Sequence, residues 1–207
     1  MRRSILLVLA SSMVLALGAP AQAAKPVKTT YDSVNANAFW YFEDQLSPTT
    51  VKRTTWYVGV YRSTDGTFSD LYVETATCTT GKRGETCTWE SLYGYGDPSD
   101  TDSFTIDDDG LTAAHLDETY VLRSYDENGE PGQEMTVAIV ADWTGIDEIQ
   151  TSSGKSSYCD DFSCSKSRWE DSFRSAEAEA TVNGDELGET YDASLATSHY
   201  ETTEWPK

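Results

Sequence analysis

The sequence holds little of what metal, acyl-transfer or nucleotide chemistry needs. It has only 2 histidines, His115 and His199, far apart in the chain. No HExxH pair and no histidine–cysteine cluster with zinc spacing occurs, which excludes the common zinc patterns. No Gly-x-Ser-x-Gly elbow is present, and glycine-rich phosphate loops are absent. Cys159 and Cys164 are too far apart for the CxxC spacing of a redox site. Positive charge is also scarce, with 15 Lys and Arg against 35 Asp and Glu and a net charge of -20. A surface of that sign repels phosphate backbones and anionic lipids, so nucleic acid is not an expected partner. Lys52-Arg53 and Lys82-Arg83 are small basic exceptions.

Long apolar runs are limited to one, from Ile5 to Leu17, broken only by Ser11 and Ser12. Arg2 and Arg3 precede it, and the small-x-small triplet Ala21-Gln22-Ala23 follows. That arrangement predicts a signal peptide over residues 1–24, removed on export. No second run predicts membrane insertion. All 4 cysteines follow the leader, as expected of a secreted, extracellular or cell-surface protein in an oxidising compartment.

What the chain does hold is aromatic: 6 Trp, 12 Tyr and 6 Phe. These and its β-branched residues favour strands and argue against disorder despite the charge. The central stretch runs from Leu71 to Tyr95, read as two antiparallel strands pinned by Cys78–Cys87 near a loop with Gly81 and Gly84. Thr54 to Arg62 alternates, with Trp56, Val58 and Val60 on one face and Tyr57, Gly59 and Tyr61 on the other. Ala38 to Phe42 and Glu134 to Trp143 predict buried strands. Lys25 to Asn37 reads as a polar lead-in, Glu43 to Lys52 as a loop, and Leu111 to Leu116 as a helical turn or link. Residues 169–182 suit a helix by propensity and a strand by the alternation of Ala176, Ala178, Ala180 and Val182.

A repeat decides for the strand. Features recur in the same order about 80 residues apart. Tyr57 to Val60 is echoed by Thr136 to Ile139, Cys78 and Cys87 by Cys159 and Cys164, and Trp89-Glu90 by Trp169-Glu170. The expected fold is all-β. Two related antiparallel β units, 25–116 and 117–207, associate closely as a pseudo-symmetric sandwich or barrel, each with a disulfide-pinned hairpin, the second closed by Cys159–Cys164.

Candidate contact residues are Trp56, Tyr57, Tyr61, Trp89, Tyr93 and Tyr95, which offer rigid apolar area with polar edges to an extracellular protein or glycan. Asp107 and Asp109 are candidate calcium ligands, with Asp97, Asp100 and Asp102 nearby in sequence; their spacing is not that of an EF-hand, and no other cofactor is expected. No catalytic residue is assigned, and a non-catalytic binding or structural role is expected. The alternative is an extracellular polysaccharide hydrolase with a carboxylate pair, for which Glu90 and Glu170 are the first candidates.

Overall fold

The computed structural model describes residues 25–96, 98, 103–125 and 130–206. The leader read at 1–24, the carboxylates Asp97, Asp100 and Asp102, and residues 126–129 lie outside the described residues. The described chain is all-β. Its strands are β1 (Val27–Ser47), β2 (Thr50–Ser63), β3 (Gly66–Gly81), β4 (Gly84–Gly96), β5 (Phe104–Ile106), β6 (Ala113–Tyr125), β7 (Pro131–Gly145), β8 (Gln150–Cys159), β9 (Ser163–Val182), β10 (Asp185–Glu186) and β11 (Asp192–Pro206). They form one 11-stranded antiparallel sheet.

Hairpins build β1 to β4 in sequence order. Strand β4 meets β6, β6 pairs β7, β7 pairs β9, β9 pairs β11, and β11 pairs β1. The ladders therefore run in a closed circuit. Strand β8 lies along β9 on the same edge as β7, and β5 lies along β6 on the same edge as β4. The two cysteine hairpins differ in their surroundings. Strand β3 pairs β2 on its other side, whereas β8 pairs only β9.

Alternation gives the sheet an inner face. Val34, Ala36, Ala38 and Trp40 of β1 are buried there with Val58 and Val60 of β2, Leu71 and Val73 of β3, and Leu116, Tyr120 and Leu122 of β6. Val137, Ile139, Ala141 and Trp143 of β7, the alternating alanines of β9, and Leu195 of β11 complete one cluster. Trp143 keeps its indole N–H satisfied by donating to the Asn37 carbonyl at 2.9 Å. Phe104 and Leu111, on β5 and the turn after it, are buried in the same cluster.

The strand over residues 169–182 is part of β9, as the alternation predicts. Three local expectations are corrected. The polar lead-in is strand from Val27 onward, because its backbone pairs with β11, and from Ser33 with β2 as well; the backbone bonds hold it without an apolar pattern. The loop at 43–52 shrinks to a turn at Pro48-Thr49, as β1 runs to Ser47 and β2 starts at Thr50. The link at 111–116 is strand from Ala113, paired with both β5 and β7.

Strands β4 and β6 meet through a single paired position, Tyr93 with Arg123. Here Gly94 and Gly96 leave room for the inner side chains of β6. A Cβ on Gly94 would stand 2.6 Å from Leu122 Cδ2, and one on Gly96 would stand 3.1 Å from Tyr120 Cε1. Gly94→Val is expected to lower stability by about 1–3 kcal/mol through overpacking, measured by urea unfolding. Both disulfides join directly opposed residues, Cys78–Cys87 and Cys159–Cys164. Replacing either pair by serines is expected to cost about 2–3 kcal/mol by loop-closure entropy, read as a lower unfolding midpoint in urea.

Candidate functional site

The opposite, outer face of β1 to β4 is where the aromatics gather. One cross-strand row runs Phe39, Tyr57, Tyr72, Tyr93, with each residue directly opposite the next. The row continues into Arg123 and Glu134, which form an ion pair at 3.0 Å. The Phe39 and Tyr57 rings lie 4.6 Å apart, and those of Tyr72 and Tyr93 lie 4.7 Å apart. Tilted contacts at such distances contribute about 0.5–1.5 kcal/mol beyond burial. Nearer the start of β3, Tyr61 and Phe68 pair at 5.0 Å, and the Tyr61 hydroxyl bonds that of Tyr31.

Gly59 sets the pose of Tyr57. A Cβ on Gly59 would come within 2.4 Å of the Tyr57 hydroxyl and 2.5 Å of Asp70 Oδ1. The ring thus folds over bare backbone, with its hydroxyl beside the Asp70 carboxylate. Burial, and then the Asp70 charge, pushes the Tyr57 phenol up. Burial pushes the Asp70 carboxyl up as well. The Tyr72 phenol is pushed up to about 12, first by burial and then by its hydrogen bond to Glu74. All three tyrosine and carboxyl groups are thereby held toward their neutral forms.

Five of the six candidate aromatics share this outer face: Tyr57, Tyr61, Trp89, Tyr93 and Tyr95. Tyr95 and Trp89 are 80% and 61% exposed. Trp56 faces the other way, in the row Trp40, Trp56, Val73, Leu92, and packs against the core. Phe39, Phe68 and Tyr72 also belong to the face. Lys82 and Arg83 occupy the β3–β4 turn, while Arg53 is held between Glu43 at 3.2 Å and Glu85 at 3.0 Å.

Asp107 caps a turn. Its side chain accepts from the Gly110 N–H at 3.1 Å, the Thr112 N–H at 3.4 Å and the Thr112 hydroxyl. The Thr112 hydroxyl, then the Gly110 N–H, pull its carboxyl below the usual carboxylate range. Both Asp107 oxygens are thus engaged within the turn. Among the described residues one tight group of three potential metal-ligating side chains occurs, Cys78, Glu85 and Cys87, and its sulfurs are already joined to each other.

A polar groove of about 530 Å³ opens where the inner face continues past the core. Asp32 and His199, in the inward alternation of β1 and β11, bond there at 2.5 Å through His199 Nδ1. Glu170, opposite His199, lines the same groove with Asp108 and Asp109, and Arg62 pairs Asp108 at 3.6 Å. Glu90 is not in it. The other histidine repeats the arrangement on the outer face, His115 Nδ1 lying 2.7 Å from Asp142 Oδ1.

No protein-family model, curated protein or solved structure matches this chain. The site's electrostatics can be tested directly. A carboxyl whose folded-state pKa is raised stabilises the fold below its ordinary value and loses that contribution as pH rises through the folded value. Asp70→Asn is therefore expected to gain stability relative to the parent between pH 3 and pH 7, measured by urea unfolding across that range. A constant difference would contradict the half-buried placement of Asp70.

Proposed function

We propose that the chain is a secreted, non-catalytic binding protein that recognises an extracellular protein or glycan through the aromatic outer face of β1 to β4. The observation that carries this reading is the continuous row Phe39, Tyr57, Tyr72, Tyr93, flanked by the exposed Tyr95 and Trp89. Packed tyrosines lose little side-chain freedom on binding and present an apolar face with a hydroxyl edge. The two disulfides fit an oxidising compartment, and the leader read at 1–24 supplies export. The outer faces of β7 and β9 carry Glu134, Asp142, Glu177 and Glu179, which suits a wall in water rather than in lipid.

The same reading takes the ladder circuit as the wall of a small barrel. Its halves, 25–116 and 117–207, are read as related units, each with a disulfide-pinned hairpin, β3 with β4 and β8 with β9. Strand β11 then closes on β1. A barrel removes the sheet edges that invite aggregation, which supports the reading for an exported protein.

The alternative, an extracellular polysaccharide hydrolase, is favoured by one observation: Glu170 shares a groove with Asp32, Asp108 and Asp109. Two of these carboxylates are already engaged, Asp32 by His199 and Asp108 by Arg62.

Screening the mature protein on immobilised oligosaccharides and intact cell surfaces tests both readings. Binding without sugar release is expected, weakened at least about tenfold by Tyr93→Ala with Tyr95→Ala. Reducing-sugar release abolished by Glu170→Gln would establish the hydrolase instead.

A further inference from the structure

A second concavity, of about 430 Å³, lies at the edge of the aromatic face and is lined by Phe39, Trp40, Tyr41, Thr55, Tyr191 and Asp192. Trp40 is fully buried, so the accessible lining is three aromatic rings, one threonine and one carboxylate. The Tyr41 and Tyr191 rings stand 6.3 Å apart and tilt by 56° to each other. Tyr191 is 78% exposed, yet its backbone is fixed, its N–H donating to the Phe39 carbonyl at 2.8 Å. Asp192, the next residue, pairs with Phe39 at the start of β11. Arg53, which reaches the Tyr41 hydroxyl, is tied to Glu43 and Glu85 and is not part of the lining.

We infer that this pocket binds a quaternary ammonium group, as carried by choline. Converging ring faces attract a cation held within about 6 Å of their centroids, and the attraction grows when water is excluded. A quaternary ammonium suits such a pocket, because it has no N–H bonds to satisfy and its methyl groups pack on rings. Asp192 supplies the balancing negative charge, and the net charge of -20 draws cations toward the surface. The site shares only Phe39 with the aromatic row, so it stands or falls separately from the recognition proposed above.

Titrating the mature protein with choline chloride, followed by NMR of the aromatic resonances, tests the assignment. Its neutral isostere 3,3-dimethylbutan-1-ol and the variants Tyr191→Leu, Tyr191→Phe and Asp192→Asn are run alongside. Saturable choline binding is expected, about fivefold or more weaker in Tyr191→Leu and nearly unchanged in Tyr191→Phe. Asp192→Asn is expected to weaken it, and the isostere to bind at least about fivefold more weakly than choline. No saturation by about 50 mM choline, or equal binding of the isostere, would overturn the inference. Tyr95→Ala should leave choline affinity unaltered. A loss there would move the cation to the aromatic row and overturn the placement in this pocket.

Discussion

Residues Val27 to Phe39 pair one for one with Asp192 to Glu204, and that ladder is the constraint on which the other features depend. It joins the first described strand to the last, and without it β1 would be an edge. With it, β1 has a partner on each side from Ser33 to Phe39, and its alternation becomes an in–out decision for the whole sheet. Val34, Ala36, Ala38 and Trp40 go inward, and Asn35, Asn37, Phe39 and Tyr41 go outward. A slip of one residue would exchange these sets and bury two asparagines.

The outer aromatic face is set by the β1–β2, β2–β3 and β3–β4 ladders that adjoin that pairing. Phe39 can begin the row only because it stands opposite Tyr57, and Tyr57 can lie over Gly59 only because Asp70 and Tyr72 come alongside on β3. Packing of this kind holds the rings still before any ligand arrives. It also explains the raised Tyr57, Asp70 and Tyr72 values, since each group lies among neighbours that exclude water. At the edge of the face, the same β1–β11 ladder brings Asp192 and Tyr191 beside Phe39. The β1–β11 pairing thus closes the circuit around the core and builds the pocket beside the aromatic row.

Features set by neighbours in sequence were legible in it. Cys78 and Cys87 flank a glycine turn on alternating strands, and Cys159 and Cys164 are closer still, so both pairings can be read directly. The strand after Trp169 was legible through its alternating alanines, against its helix propensity. Features set by distant pairing were not. Nothing local marks Lys28 to Thr30 as strand, because the residues they meet are Glu201 to Thr203. The Asp32–His199 pair and its neighbour Glu170 come from three remote segments and meet only through register. Trp56 and Tyr57 were both named as contacts, but adjacent strand residues point to opposite faces, and the core takes Trp56.

Hydrogen exchange of the backbone amides, read by mass spectrometry, tests the closure directly. Peptides covering Val27 to Phe39 and Asp192 to Glu204 should be protected together, and as strongly as those of the β2–β3 hairpin. Rapid exchange of both segments beside a protected hairpin would mean that β1 and β11 do not pair, and that the ladder circuit is open.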